Sequence, residues 1–208
     1  MPDDEHQQQT IVTLDLEGVL VPEIWIAVAE RTGIAALRRT TRDEPDYDVL
    51  MRYRLEILEA NGLTMSLIAE VIGGLAPLEG AREFLDALRS RTQVVILSDT
   101  FEQFGAPLMG HLGMPTLLCH RLVVEDDRIT GYRLRMPDQK RHAVEAFRSL
   151  NYRVVAAGDS YNDSAMLGAA DAGFWFRTPP AIAAEFPQFP ATDDYATLLE
   201  RITSALGA

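Results

Sequence analysis

IVTLDLEGVL, residues 11–20, opens on an apolar, β-branched run that stops at an acid, Asp15. Two later segments repeat that form. VVIL, residues 94–97, leads to Ser98, and VVAA, residues 154–157, leads through Gly158 to Asp159. Short, nearly continuous apolar runs of this kind read as strands buried on both faces of a parallel sheet. Helical periodicity lies between them. Residues 79–91, EGAREFLDALRSR, place Ala81, Phe84, Leu85 and Leu88 on one face, and residues 140–150, KRHAVEAFRSL, do the same with Val144, Phe147 and Leu150. Strand and helix in alternation predict an α/β fold around a parallel sheet. Residues 22–76 break the alternation. They offer no strand, and helices are expected near 24–32, 47–60 and 64–72, closed by Gly33, Gly62 and Gly73. The chain therefore divides into an α/β core, residues 1–21 and 77–208, and an inserted helical cap, residues 22–76. Residues 1–9 read as a disordered tail, residues 121–135 as a hairpin turning at EDDR, and residues 179–190 as a Pro-rich loop.

Composition narrows the function classes. The 208 residues suit one domain with a small insertion. Lys and Arg number 19 against 31 Asp and Glu, a net charge of −12, which argues against nucleic acid and anionic membranes as partners. Cys119 is the single cysteine, so no intrachain disulfide forms and a reducing compartment is expected. No apolar run is long enough to span a bilayer, and the start MPDDEHQQQT lacks the basic-then-apolar pattern of a signal peptide. A cytoplasmic protein is the expectation.

Ligands in open α/β sheets bind beyond the carboxyl ends of the strands, so Asp15, Ser98 and Asp159 are expected to meet at one edge. Each also has a plainer reading. Asp15 and Glu17, two apart, share a side if the strand continues, yet two solvated acids at a strand end are equally ordinary. Ser98 alone would be a turn former or helix cap. Lys140 alone would be surface decoration at a helix start, where a cation is mildly unfavourable. GDSYNDSAML, residues 158–167, sets Asp159 and Asp163 four apart with Asn162 between them, an oxygen-rich set suited to Mg²⁺, although acids at a helix N-terminus are common too. Tyr47 and Arg54 lie seven apart, two helical turns, and share a face; Arg54 suits a carboxylate and Glu23 an ammonium, against the alternatives of a surface Arg and a helix-start Glu. Arg52 is the rival cation but points to another face. The four histidines show no ligand spacing, and Cys119 reads as a buried apolar residue.

Together, Asp-x-Glu, Ser-Asp-Thr, Lys and Gly-Asp-x-x-x-Asp, in this order within an α/β alternation, resemble the haloacid dehalogenase superfamily of phosphotransferases. LDLEGVLVPEIW (14–25), TTRDEPDYDVLM (40–51), PLEGA (77–81), QVVILSDTF (93–101), PTLLCH (115–120) and AAGDSYND (156–163) are similar to those members that hydrolyse phosphoserine and also transfer its phosphoryl group to homoserine. The resemblance implies a Rossmann-like core with an inserted helical cap. It also implies a Mg²⁺-dependent phosphoserine phosphatase and phosphotransferase of amino-acid biosynthesis. Residue by residue, it implies Asp15 as nucleophile and metal ligand, and Glu17 as general acid/base whose backbone carbonyl also meets the metal. Asp159 and Asp163 complete the metal site. Ser98, Asp99, Lys140 and Asn162 line the phosphate site, and Glu23, Tyr47 and Arg54 bind the amino acid. Small molecules are the implied partners, and a homodimer is compatible with the resemblance. Two departures stand out: Glu17 replaces the usual second Asp, and Asp99 replaces a usual Gly. A phosphatase for another small phosphorylated metabolite is the alternative.

Overall fold

The computed structural model describes residues 8–41, 43, 44 and 46–207. In chain order the elements are β1 (Gln9–Leu14), α1 (Ile24–Thr32), α2 (Tyr47–Ala60), α3 (Met65–Gly73), α4 (Ala81–Arg89), β2 (Gln93–Phe101), α5 (Glu102–His111), β3 (Thr116–Glu125), β4 (Arg128–Arg133), α6 (Gln139–Ser149), β5 (Tyr152–Gly158), α7 (Ser164–Ala169), β6 (Ala172–Phe176), α8 (Pro180–Glu185), β7 (Ala191–Thr192) and α9 (Tyr195–Ala205), with short 3-10 turns at Ala35–Arg38 and Tyr161–Asp163. The described strands form one seven-stranded sheet in the order β4-β3-β2-β1-β5-β6-β7. Every neighbouring pair is parallel except β3 with β4.

Strand alternation splits the apolar residues between two faces. Val12, Leu14, Ile96, Val155 and Phe176 pack on one side with residues of α1 to α5 and α9. Ile11, Val95, Leu97, Val154 and Trp175 pack on the other with α6, α7 and α8. Each fully buried aliphatic or aromatic side chain contributes roughly 1.5–3 kcal/mol of apolar burial. Register then sets which edge of the sheet the polar residues share. Leu14 pairs with Ile96 on one side and Ala157 on the other, so the residues that follow these three strands emerge together. β2 itself runs on to Phe101 rather than ending before Ser98, but its pairing with β1 stops at Ile96, leaving Ser98 beyond its neighbour.

The helices of residues 22–76 fall close to the expected spans. Gly33 closes α1 in the left-handed region, and Gly62, also at positive φ, follows α2. α3 differs, ending through Gly73 and Gly74 in right-handed geometry. The sequence hairpin is present, and its two-residue turn Asp126–Asp127 has both φ angles positive, as a tight antiparallel connection requires. Its tip holds α3. The Asp127 backbone carbonyl accepts from Met65 N at 2.8 Å, while Asp127 Oδ1 accepts from Ser66 N and Ser66 Oγ, both at 2.8 Å.

Several expectations need correction. Of the tail foreseen at residues 1–9, positions 1–7 lie outside the described residues, and Gln9 already pairs with Tyr152 in β1. The Pro-rich stretch contains α8, because Pro180 stands at the helix start, where its missing N–H costs nothing. Leu150 lies past the end of α6 and is 67% exposed; Ala143 is buried on the inner face instead. Lys140 is buried, not surface decoration. Cys119 is buried as expected, and that burial pushes its thiol up to about 11.

Phe176 has no exposed surface, and its ring stacks on Tyr195 of α9 at 4.6 Å. Phe176→Ala is expected to cost about 3–5 kcal/mol in urea unfolding. A loss below about 1 kcal/mol would mean that this contact is not part of the stabilising core.

Candidate active site

Two glycines create the space in which the acids converge. Beyond β1 the backbone still bonds the sheet, Asp15 N donating to Ala157 O at 3.0 Å, and then turns sharply, with Leu20 N and Val21 N both donating to Leu16 O. Gly18 sits in this turn at φ 77°, and a Cβ there would fall 2.5 Å from Asp159 Oδ2. A Cβ on Gly158 would fall 2.3 Å from Asp163 Cγ. Asp163 then folds back over the end of β5, where Oδ2 accepts from Asp159 N at 2.9 Å and Ser160 N at 3.2 Å. This caps the short helical turn that follows.

Asp15, Asp159 and Asp163 offer carboxylate oxygens within 4.8 Å of one another, all buried. Lys140 reaches into the cluster from α6. Its Nζ is 2.9 Å from Asp15 Oδ1 and 2.7 Å from Asp163 Oδ1. Burial pulls the Lys140 pKa down, but Asp15, Asp163 and Asp99 outweigh it, and the ammonium is held well above its ordinary value. Burial, followed by the charge of Asp163, raises Asp15; Lys140 opposes this. Leu16 N also donates to Asp15 Oδ1, at 2.7 Å.

The donor set is all oxygen, which fits a hard divalent cation rather than zinc or a soft metal. Three carboxylates against one ammonium leave excess negative charge, which a bound divalent cation would offset. The side chain of Glu17 is not part of this group.

Glu17 instead turns toward the helical block. Its Oε2 accepts from Ile24 N at 2.9 Å, the first N–H of α1, a helix without a cap bond from its own N-cap side chain. Burial and neighbouring Glu23 push its carboxyl up to about 7. Arg54 lies across the same cavity, on the apolar face of α2 with Leu50, Met51 and Leu58. Its guanidinium stacks over Trp25 at 4.6 Å and donates to Arg39 O at 2.9 Å, while its buried Nε has no protein partner. Burial lowers its pKa to about 10, so it remains a cation at neutral pH. Tyr47 OH donates to the backbone carbonyl of Asp99 at 2.8 Å, tying α2 to the sheet edge.

Asp15, Glu17, Tyr47, Arg54, Lys140 and Asp159 line one cavity of about 70 Å³ together with Glu23, Ser98, Asp99 and Asn162, whereas Asp163 is not in its lining. Arg52 stands apart, on a groove between α2 and β4. Asp99 reaches the cavity, but its carboxylate faces donors: Gln139 Nε2 at 3.1 Å and His120 Nε2 at 3.5 Å on Oδ1, and Asn162 Nδ2 at 3.0 Å on Oδ2. Burial pushes its pKa up, but the nearby Lys140 charge and these hydrogen-bond donors outweigh that and hold it well below the usual carboxylate range. A carboxylate so engaged is not itself a grip for a phosphate anion. Trp25 and His120 fall within matching segments but carry no role there, and Gln139 has no motif of its own. Gln139 had one signal, its place directly before Lys140.

The sequence profile of haloacid dehalogenase-like hydrolases matches residues 12–168. The chain is 61% identical over 196 residues to phosphoserine phosphatase ThrH of Pseudomonas aeruginosa, a match covering 94% of this chain and 96% of that relative. It is 60% identical over 196 residues to a phosphoserine phosphatase of Pseudomonas syringae pv. tomato, covering 94% and 83%. A substrate-bound phosphoserine phosphatase structure superposes with a TM-score of 0.79 at 20% identity, covering 94% of this chain and 99% of that one, a likeness of fold.

Gly158→Ala is expected to displace Asp163, and with it Lys140, lowering phosphomonoesterase kcat at least about a hundredfold, as misplacement near reacting groups does. Wild-type turnover in that variant would show that the fold-back of Asp163 is dispensable.

Proposed function

We propose that this chain, which belongs to the haloacid dehalogenase-like hydrolase family, is a phosphoserine phosphatase that works through a phosphorylated Asp15 and also passes the phosphoryl group to homoserine. The observation that carries the reading is a single cavity lined both by a buried acid–lysine centre and by Arg54 with Glu23. Such a cavity matches a small molecule bearing a phosphate at one end and an amino acid at the other. The names of relatives near 60% identity support the same substrate. The transfer to homoserine rests on the resemblance of the motif and helical-block segments.

Asp15 supplies the nucleophilic oxygen. Its Oδ1 is held by Lys140 and Leu16 N, which leaves Oδ2 for in-line attack on phosphorus. Asp15 and Asp159, with Asp163 adjoining, would hold Mg²⁺, which when bound reduces repulsion between carboxylate and phosphate. Lys140, the Ser98 hydroxyl and the Asn162 amide stabilise the equatorial oxygens. A carboxyl at about 7 can carry a proton near neutrality, and Glu17 gives it to the departing serine oxygen. Glu17 then takes a proton from the incoming water or alcohol, so one group serves both half-reactions. Arg54 grips the substrate carboxylate and Glu23 attracts the ammonium. Residues 22–76 act as the cap. Because Glu17 bonds Ile24 N, the acid is aligned only while α1 is seated on the core.

Incubation with phosphoserine and Mg²⁺ is expected to release phosphate, and added homoserine to divert part of it into phosphohomoserine. A panel in which another phosphomonoester is clearly preferred would overturn the substrate assignment. Chelation by EDTA should stop turnover and Mg²⁺ should restore it. Arg54→Ala should lower kcat/KM for phosphoserine by about a hundredfold, the scale of lost charged hydrogen bonds. The same variant should change an aryl phosphate by less than about threefold. Equal losses on both would remove the carboxylate grip.

A further inference from the structure

The Asp99 carboxylate is a puzzle beside a phosphate site, since it repels the ligand that Ser98 and Lys140 attract. Lys140 offsets its charge, and its hydrogen-bond partners set what it does there. Gln139 gives one amide hydrogen to Asp99 Oδ1 and the other to the backbone carbonyl of Ser98, while its own oxygen accepts from Arg135 Nε at 3.0 Å. His120 is pinned as well. Its Nδ1 accepts from Arg135 N at 3.1 Å, which puts the ring proton on Nε2, facing Asp99. The carboxylate is thereby fixed from β3 and from the start of α6. It spends Oδ2 on the amide of Asn162.

Asn162 is held at both ends. Its Nδ2 donates to Asp99, and its Oδ1 accepts from Ser160 Oγ at 2.6 Å. A carboxamide left to itself can turn either its oxygen or its nitrogen toward a ligand. Here the reversed amide would set oxygen against the Asp99 carboxylate, so only the nitrogen-forward orientation survives. The second hydrogen of Nδ2 is then left for the cavity that Asn162 lines with Asp15, Ser98 and Lys140.

We propose that Asp99 is a positioning residue: braced by Gln139 and His120, it locks the Asn162 amide so that an N–H is presented to the transferring phosphoryl group. The proposal rests on the phosphomonoesterase reading but not on which amino acid leaves. It acts on the phosphoryl group itself and so applies to any phosphomonoester the enzyme accepts. The ionised state of Asp99, kept by the Lys140 charge and by its donors, is what an acceptor-only role needs.

The test is a double-mutant cycle on Asp99→Asn and Asn162→Ala, read with phosphoserine and an aryl phosphate. Each single variant is expected to lower kcat about tenfold on both substrates, the scale of one charge-assisted hydrogen bond, with KM for phosphoserine little changed. The double variant should match Asn162→Ala alone, because Asp99 acts through Asn162. Losses that multiply to about a hundredfold, or an Asp99→Asn enzyme with wild-type kcat, would overturn the proposal. If Asp99→Asn does not fold, Asp99→Ala replaces it, since it sets no donor against a donor. The affinity for inorganic phosphate with Mg²⁺, measured by calorimetry across the same cycle, should show the same non-additivity. That reading survives even if phosphoserine is not the substrate.

Discussion

Lys140 has 3% of its side chain exposed and sits between two buried carboxylates, with a third adjoining. An isolated ammonium in that position would lose its hydration at great cost, and so would an isolated carboxylate. Neither is isolated. Nζ bridges Asp15 and Asp163 at 2.9 and 2.7 Å, so the first strand, the helix after the hairpin and the loop after β5 are fixed to one point. Removing one partner of such a buried pair typically costs 3–5 kcal/mol, because the other charge is stranded. The lysine thus couples the structure of the edge to its chemistry. On the proposed mechanism, the cation that orders the acids is also the cation that faces the phosphate.

Two constraints make that point reachable. Parallel register brings Asp15 and Asp159 out of adjacent strands, and two glycines clear the volume that the carboxylates of Asp159 and Asp163 occupy. The helical block then closes over the edge through polar contacts at its base. Tyr47 bonds the Asp99 carbonyl, and Glu17 bonds the start of α1. The extra methylene of Glu17, relative to the usual Asp, gives the longer reach with which it meets Ile24 N. That departure from the usual Asp thus ties the Glu17 carboxyl to the helical block above it.

Much of this was legible in the sequence because strand cores are apolar and strand ends are not. IVTL, VVIL and VVAA announce three central strands, and the polar residues after them announce the edge. The helices at 24–32 and 47–60 follow from periodicity and left-handed glycines. β6 was missed because AGFWF is short and begins with small residues, and α8 was hidden by flanking prolines that read as a loop. His120 and Gln139 could not be found in this way. Each is a single polar residue whose burial depends on Asp99, a residue distant in sequence. Lys140 looked ordinary for the same reason, since the acids that bury it lie 125 residues before it and 23 after it.

The central claim is that Asp15 takes the phosphoryl group before water or an alcohol does. Rapid acid quench during turnover of phosphoserine, followed by mass spectrometry of the peptides, tests it directly. The account predicts a transient phosphoryl adduct on the peptide carrying Asp15, absent in Asp15→Asn. Steady turnover with no adduct at any quench time, or an adduct on another residue, would contradict it.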